Sequence, residues 1–530
     1  MKKIFYTVLV FTVAMAFSSC KKYLDINQNP NNPLGSTPAL VLPQAITATA
    51  NQTWTYNTYG SWLVGYRVNG GGVSGWGSQI SYNFNAADYQ ALWNNTYDIL
   101  NDFQYVIDQT EGKPDFVHFN AVAKIFKAYN YQRLVDVYGD IPYTEASKGT
   151  GNLLPKYDKA EDIYKNLASL LDEAIAALNA NPTAPSTFPT ADVLFKVAAN
   201  GNFDNWKRFA NTIKLRLVVR ASGKVTFANT NFDPIGFLTD DAIVNPGYTK
   251  IEGKQNPFWN SFAYTAANAA VTAGNQQPPS AYLMTFFNGN RLTDTKRANV
   301  FFKSGVTTAT NQLGYQEADA GRGAAPNSWF RGTSATAFEG AGIFKGPDAG
   351  QPIFLESESR FLVAEAMVRG ILPGGASAAK TEFNTGINSS FEYLYKNASG
   401  GMSTTGNPAV ARTPIPDADA YRTANAASRL VNFDLATTDE QKIEAIITQK
   451  YIAHNNMVGD QSWHDYKRTG YPSIVIGSTA RTATFVSIVS EATAADKLPT
   501  RILYPESEYK FNAANIPTID KYTTKIFWAK

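Results

Sequence analysis

The sequence predicts a mainly helical fold in which amphipathic helices stack as irregular hairpins, with a long loop-rich insert. Apolar residues recur at spacings of three and four in windows of about 15 to 24 residues, which is the period of an amphipathic helix. Short turns rich in proline and glycine join these windows, as in tetratricopeptide-like arrays. The insert, residues 227–352, lacks this period and is rich in Gly, Pro, Asn and aromatic residues. Long irregular inserts in compact proteins usually carry function.

The N-terminus has the pattern of an export signal that ends at a lipid-attachment site. Lys2 and Lys3 precede an apolar run, residues 4–17, which is too short to span a bilayer. Cys20 is the only cysteine of the chain and closes the motif Phe17-Ser18-Ser19-Cys20, which resembles a lipobox. That resemblance implies cleavage before Cys20 and a diacylglycerol on its sulfur. An ordinary signal peptide with an incidental cysteine is the alternative.

These features divide the chain into three parts. Residues 1–19 are predicted to be the lipoprotein signal peptide, and residues 20–43, rich in Asn and Pro, a lipidated flexible tether. Residues 44–530 are predicted to form one helical binding domain that contains the insert. Several acyl chains would hold the mature protein at a membrane, because each buried CH₂ contributes roughly 0.8 kcal/mol.

An aromatic and glycine-rich stretch, residues 50–85, is predicted to lie in loops and is the first candidate ligand site. Its glycines lack the Lys-Ser/Thr pair that follows in a phosphate-binding loop. Tyr and Trp rings offer a flat apolar face with a polar edge, which suits stacking on sugar rings or on peptide side chains. Trp54, Tyr59 and Trp76 are therefore predicted ligand contacts, with packing in the core as the alternative for each ring.

Three helices are predicted between residues 116 and 220. The first ends at Gly139 and Pro142. A capping box of Asp158 and Glu161 is expected to open the second, and Asp204 to cap the third. The residues expected to face the core are Phe119, Val122, Phe126 and Tyr129 in the first helix, Ile163, Leu167, Leu170, Ala174 and Leu178 in the second, and Trp206, Phe209, Ile213 and Leu217 in the third.

A fourth helix, residues 354–369, is predicted to form a hairpin with the helix that follows the turn Pro373-Gly374-Gly375. Leu362, Val363, Ala366 and Met367 are expected to face the core from the fourth helix, with Ala379, Phe383, Ile387 and Leu394 from its partner. Before this hairpin, the insert holds Trp329, Phe330 and Arg331. Two rings beside a guanidinium can combine stacking with charge-assisted hydrogen bonds, so these residues are also predicted ligand contacts. Packing of the loop by Trp329 is the alternative.

Composition and motifs argue against catalysis, metal binding and nucleic-acid binding. Hydrophobic residues make up 44% and charged residues 17% of the 530 residues, and the net charge is +3, which indicates a large core rather than a nucleic-acid-binding surface. His118, His454 and His464 are the only histidines, and they have no metal-ligand spacing. The sequence contains no HExxH motif or Gly-x-Ser-x-Gly elbow. We expect no enzyme activity, no cofactor and no bound metal.

Several motifs together resemble the SusD/RagB family of nutrient-binding outer-membrane lipoproteins, in particular its subgroup with an Asn/Pro-rich N-terminus. The resemblance covers almost the whole chain, and Gln449, Lys450 and His454 depart from the family pattern. The matching stretches are residues 25–33 (DINQNPNNP), 133–143 (RLVDVYGDIPY), 157–178, 205–210 (NWKRFA), 358–366 (ESRFLVAEA), 463–470 (WHDYKRTG) and 501–505 (RILYP).

The resemblance implies a lipid-anchored protein on the outer face of the outer membrane. Such a protein would close as a lid on a SusC-like TonB-dependent transporter and hand it a captured oligosaccharide. Peptide capture, a surface glycosidase and a purely structural lipoprotein are the alternatives. The charged motif residues are expected to form buried pairs rather than ligand contacts. These residues are Arg133, Asp136, Asp140, Glu358, Arg360 and Glu365.

Overall fold

A computed structural model of the chain describes residues 36–70, 76–302, 311–315, 343–403 and 412–530. Cys20 and the group Trp329, Phe330 and Arg331 lie outside the described residues. The helices are α1 (Pro38–Leu63), α2 (Ser78–Ser81), α3 (Gln90–Thr110), α4 (Val117–Tyr138), α5 (Ala160–Ala180), α6 (Asp204–Arg220), α7 (Pro257–Phe262), α8 (Ala273–Gln276), α9 (Ala281–Met284), α10 (Thr295–Phe301), α11 (Glu356–Val368), α12 (Gly375–Tyr395), α13 (Pro414–Ala424), α14 (Asp439–His454), α15 (Gly459–Thr469) and α16 (Glu506–Phe511), and the strands are β1 (Ala242–Val244) and β2 (Gln351–Phe354).

Helices that are neighbours in the sequence pack as pairs, which confirms the predicted helical hairpins. α1 packs on α3, α3 on α4, α4 on α5, α5 on α6, and α11 on α12. The core residues expected on α6 and α12 are fully buried. Within the part of the chain that the structure describes, no helix is both long and apolar enough to span a membrane.

α15 packs against α1, so the first described helix meets the C-terminal part of the chain. The contact depends on two glycines. A Cβ atom at Gly60 would lie 2.2 Å from the backbone nitrogen of Asp460, and one at Gly459 would lie 2.5 Å from Oγ of Ser61. Because these distances are far below van der Waals contact, any larger residue at either position would force the two helices apart.

α4 differs from the predicted amphipathic helix because it is buried on nearly all sides. The four residues expected to face the core are buried, but so are Asn130, Gln132 and Arg133 on other faces of the helix. α4 lies in contact with α3, α5 and α6. Only a narrow stripe with Asn120, Lys124 and Lys127 is partly exposed, so the polar residues on the other faces must find partners inside the protein.

The predicted capping box at the start of α5 is wrong. The Asp158 carboxylate accepts hydrogen bonds from the backbone nitrogens of Tyr143 (2.9 Å) and Thr144 (2.8 Å) instead. The first backbone nitrogen of α5, that of Ala160, donates to Oδ1 of Asp140 (2.9 Å). Asp140 therefore stabilises the N-terminus of α5 from the preceding loop, as a carboxylate at that position should.

Two further helix starts differ from the sequence prediction. α6 begins at Asp204 itself rather than after it, and the backbone nitrogen of Asp204 donates to Oδ1 of Asn202 (3.1 Å). α1 begins at Pro38, within the segment 20–43 that was expected to be an irregular tether. Proline is favourable in the first turn of a helix because its missing N–H would have no intrahelical acceptor there.

The described part of the insert contains regular secondary structure. It contains the short helices α7 to α10, and β1 pairs antiparallel with β2, with Ile243 opposite Pro352. β2 leads directly into α11, so this two-stranded ribbon attaches the end of the insert to the helical body.

Buried ion pairs join helices that are distant in the sequence. Nη2 of Arg133 on α4 lies 3.0 Å from Oδ2 of Asp460 on α15. Nη1 of Arg216 on α6 lies 3.2 Å from Oε1 of Glu358 on α11. All four side chains are almost completely buried, so each charge depends on its partner in place of water.

Asp136 on α4 is the centre of a second group. It accepts hydrogen bonds from Arg220 on α6 and from the Tyr164 hydroxyl on α5. Nε1 of Trp528, near the C-terminus, donates to its Oδ1 (2.9 Å). Through these contacts one carboxylate connects α4, α5, α6 and the C-terminal end of the chain.

Asp465 on α15 is the centre of a third group. Its carboxylate lies 2.9 Å from Nζ of Lys450 on α14 and 2.9 Å from Nη2 of Arg468. Arg468 also donates to Glu365 on α11 (2.9 Å). We call the buried charges of these three groups the ion-pair network: Arg133, Asp136, Arg216, Arg220, Glu358, Glu365, Lys450, Asp460, Asp465 and Arg468. The buried structural role expected for the motif residues is thus confirmed for those in this network.

The first prediction concerns the Arg133–Asp460 pair. We expect Asp460→Asn to lower the free energy of unfolding by about 3 to 5 kcal/mol, because it leaves the Arg133 charge buried without a partner. Urea unfolding of the purified protein measures this. Lys510→Ala is the matched control, since Lys510 and Glu506 form an exposed pair worth less than about 1 kcal/mol. A similar, small loss in both variants would contradict the structural role of the network.

The second prediction concerns the pH dependence of stability. Burial lowers the pKa of His454 and of His464 to about 4, although Glu358 and Asp136, respectively, oppose the shift from 3.8 Å and 3.9 Å. The unfolded chain takes up these protons near pH 6.5, whereas the folded protein does so only near pH 4. Stability is therefore expected to fall as pH falls through this window, by up to about 1.4 kcal/mol per pH unit for each histidine.

Urea unfolding at a series of pH values tests this expectation. The double variant His454→Gln, His464→Gln should show a flatter dependence between about pH 4 and pH 6.5. An unchanged slope in the double variant would mean that other groups cause the loss of stability.

Candidate ligand-binding site

Trp54 lies on α1 and is half-buried. Its ring meets Phe262 of α7 edge-on, with 4.6 Å between the ring centroids, and lies 6.3 Å from the ring of Phe258. α7 begins after Asn256, whose Oδ1 accepts a hydrogen bond from the backbone nitrogen of Trp259 (3.0 Å). This cap fixes the short helix that supports the Trp54 ring.

Arg67 lies beneath these rings. Its guanidinium carbon is 4.0 Å from the centroid of Phe262 and 5.8 Å from that of Trp54. Nε donates to Oδ1 of Asn456 (2.5 Å), and Nη1 donates to Oγ1 of Thr58 (3.4 Å). No carboxylate pairs with Arg67 within the described ranges, and burial alone lowers its pKa to about 9. Arg67 therefore remains a cation at neutral pH and lies against the aromatic rings.

Trp76 is the second half-buried tryptophan of this region. Its ring centroid lies 5.3 Å from that of Trp62 on α1. Trp54 and Trp62 are eight residues apart, which is about 12 Å along a helix. α1 thus supports two partly exposed indole rings, one directly and one through Trp62.

Tyr59 belongs to the core rather than to this surface. Its side chain is 1% exposed, and its ring packs edge-on against Tyr89 with 5.2 Å between centroids. Burial raises the pKa of its hydroxyl above the ordinary value. The ring has no face open to a ligand, although it supports the helix that holds Trp54.

Asn69, two residues after Arg67, joins the end of segment 36–70 to residues 314 and 315. Its Nδ2 donates to the carbonyl of Tyr315 (2.6 Å), and its Oδ1 accepts from the backbone nitrogen of Gly314 (3.0 Å). The Tyr315 ring lies 4.3 Å from the guanidinium carbon of Arg481. Residue 315 directly precedes the segment 316–342, which carries Trp329, Phe330 and Arg331.

Phe344, on the C-terminal side of that segment in the sequence, has its ring centroid 6.5 Å from that of Phe258, which packs on Trp54. The described residues on either side of segment 316–342 therefore contact Asn69 and the surroundings of Trp54, respectively. We call the group Trp54, Arg67, Asn69, Trp76, Phe258, Phe262 and Tyr315 the aromatic site.

The chemistry of the aromatic site suits recognition of an uncharged or polar ligand by stacking. Partly exposed indole rings can stack on apolar ligand faces, whereas Arg67 and Asn69 are buried and hold the surrounding segments in place. Among the residues that the structure describes, no group of three His, Cys, Asp or Glu side chains could hold a metal ion.

Sequence reasoning missed Arg67, Phe258 and Phe262. Arg67 follows the aromatic run directly, but nothing in its local pattern indicates that it is buried. The sequence Asn256-Pro257 is a helix-start signal that could have predicted α7. Phe258 and Phe262 are four residues apart and would then lie on the same face of that helix.

The chain is similar to known proteins over nearly its whole length. Residues 30–505 match a family described as SusD-like, starch-binding associating with outer membrane. A solved SusD homologue from Bacteroides fragilis is 20% identical, with 93% of this chain and 99% of that chain covered and a TM-score of 0.62. A chitin-binding SusD homologue from Flavobacterium johnsoniae is also 20% identical, with 92% and 98% covered and a TM-score of 0.62.

A SusD homologue from Bacteroides uniformis is 20% identical, with 92% of this chain and 99% of that chain covered and a TM-score of 0.61. No curated protein sequence matches the chain. At this level of identity the solved structures support the helical fold, and the family match covers the aromatic site and the ion-pair network alike.

Proposed function

The chain belongs to the SusD-like family of starch-binding proteins that associate with the outer membrane, and we propose that it captures oligosaccharides at the cell surface and hands them to a SusC-like TonB-dependent transporter. Members of this family are binding proteins rather than enzymes. In this proposal the protein is anchored through a lipid on Cys20, and the helical body carries the aromatic site.

The observation that carries the proposal is the pair of partly exposed tryptophans, Trp54 and Trp76, supported by α1. Sugar rings have apolar C–H faces that stack on indole rings. The chitin-binding structure among the similar proteins favours a glycan over a peptide.

Trp329, Phe330 and Arg331 remain proposed ligand contacts. Tyr315, which precedes their segment in the sequence, belongs to the aromatic site, and Phe344, which follows it, packs near Phe258 of that site. Tyr59 is proposed only as support for the site, because its ring is buried.

An exposed apolar patch supports the proposed protein partner. It consists of Leu153, Leu154, Tyr509 and Phe511, which are 75%, 55%, 41% and 76% exposed. Two side-chain hydrogen bonds join the segments that carry it, from Asn515 to the carbonyl of Leu154 (3.1 Å) and from Asn512 to that of Pro155 (3.0 Å). Exposed apolar side chains on neighbouring segments that hydrogen bonds hold together are typical of protein interaction sites.

The third prediction concerns ligand binding. We expect purified protein to bind malto- or chito-oligosaccharides saturably without releasing reducing sugar, as measured by calorimetric titration with a sugar assay on the same samples. Trp54→Ala and Trp76→Ala should each weaken binding at least about fivefold, since truncation of an aromatic contact commonly costs more than about 1 kcal/mol.

Tyr59→Phe is the control for this titration and should leave affinity unchanged, because the Tyr59 ring is buried. Saturable binding of peptides in place of sugars would replace the glycan proposal by peptide capture. Release of reducing sugar would show that the protein is a glycosidase. Unchanged affinity in both tryptophan variants would show that the ligand binds outside the aromatic site.

The fourth prediction concerns the partner. We expect the double variant Leu153→Glu, Phe511→Glu to lose most co-purification with a SusC-like transporter, because two charges would then replace apolar contacts. Val475→Glu, Ile476→Glu is the matched control on a separate loop, where these side chains are 56% and 61% exposed. Equal loss in both double variants, or no loss in the first, would contradict an interface at the apolar patch.

A further inference from the structure

A cavity of about 390 Å³ lies between α6, α11, α12 and the loop 233–239, and it shares no lining residue with the aromatic site. Cavities of this size accommodate small organic molecules. Its apolar lining is formed by Phe237, Leu238, Val363, Met367 and Leu372.

The loop that forms one wall is held in place by side chains of the helices. Nδ2 of Asn211 on α6 donates to the carbonyl of Gly236 (2.9 Å). Oγ1 of Thr212 accepts from the backbone nitrogen of Leu238 (2.9 Å), and Oγ of Ser359 on α11 donates to the Leu238 carbonyl (2.9 Å). The wall is thus preorganised, so little conformational entropy opposes the binding of a ligand against it.

Arg208 of α6 supplies a positive charge at the cavity. Nε donates to the carbonyl of Ile235 (3.2 Å), and Nη1 donates to Oδ1 of Asn205 at the long distance of 3.4 Å. Both acceptors are uncharged. Within the described ranges no carboxylate forms an ion pair with Arg208 and no group accepts a hydrogen bond from Nη2, so the guanidinium keeps an edge for an anion.

The second arginine at the cavity is already neutralised. Arg360 of α11 donates to Glu356 (2.9 Å) and to Glu382 of α12 (3.2 Å). An anionic ligand therefore finds its countercharge at the Arg208 end of the cavity, whereas the Glu382 end repels it. The charges give a bound anion one orientation.

We propose that this cavity binds a small apolar monocarboxylate, with its carboxylate on Arg208 and its hydrocarbon body against Val363, Met367 and Leu372. The apolar body and the single anionic head of such a ligand match the apolar lining and the one unpaired guanidinium of the cavity. The site is separate from the aromatic site and does not depend on the proposed glycan capture.

The fifth prediction tests this site with octanoate as the probe. Calorimetric titration of the purified protein should show saturable binding of octanoate below about 1 mM. Octanamide, which has the same hydrocarbon body and no charge, should bind at least about tenfold more weakly. Arg208→Met should lower the affinity for octanoate to that for octanamide and leave the affinity for oligosaccharides unchanged.

Lys207→Met is the matched control, because Lys207 is the neighbouring cation but pairs with Asp204 (3.0 Å) and does not line the cavity. It should retain the affinity of the wild-type protein for octanoate. Thermal unfolding of each variant checks the fold, and the comparison of octanoate with octanamide needs no variant. Equal affinity for the two probes, no saturable binding of octanoate, or equal losses in both variants would overturn the proposal.

Discussion

The ion-pair network is the constraint on which the helical body depends. Its charges come from α4, α6, α11, α14 and α15, and Arg133 lies 327 residues from its partner Asp460. Removing such charges from water costs several kcal/mol for each ion, and only close, hydrogen-bonded partners offset this cost. The five helices must therefore take up one relative arrangement, because a shift of any helix would leave a charge buried alone. Apolar packing makes the body compact, and the network selects which compact arrangement is reached.

The pKa values of Asp460 and Glu365 are set by the basic residues that pair with these buried acids. Burial by itself would raise the pKa of Asp460, but Arg133, His464 and the hydrogen bond from Gln461 together outweigh it, and the pKa lies below the ordinary value. Burial acts in the same way on Glu365, where Arg468 and Arg369 outweigh it. Asp460 and Glu365 thus stay charged in the folded protein, whereas His454 and His464 stay neutral at neutral pH. The network contains five acidic and five basic side chains, so the helical body buries many charges with no net formal charge among them.

The sequence was sufficient to predict five helices, α4, α5, α6, α11 and α12, and the inward residues of α6 and α12, because these follow a simple period. It was wrong for residues 50–63, which were expected in loops and belong to α1. It was not sufficient for the burial of α4, whose polar residues have partners on other helices, or for the start of α5, where Asp158 binds a neighbouring loop instead. The aromatic run shows the same limit at the candidate site. Trp54 and Tyr59 look alike in the sequence, but five residues of helix turn them about 140° apart, so one ring reaches the surface and the other the core. Arg67 could not be predicted because its burial depends on α7 and on Asn456.

The contact between Gly60 and Gly459 has a mechanical consequence. α1 lies between α3 and α15, and backbone meets backbone where it crosses α15. A force applied at Ser36 reaches the rest of the fold through α1. To extract α1 the force must break its contacts with both neighbours. The load is then shared with the C-terminal part of the chain, so a body held by its N-terminus can be pulled without being unravelled from that end.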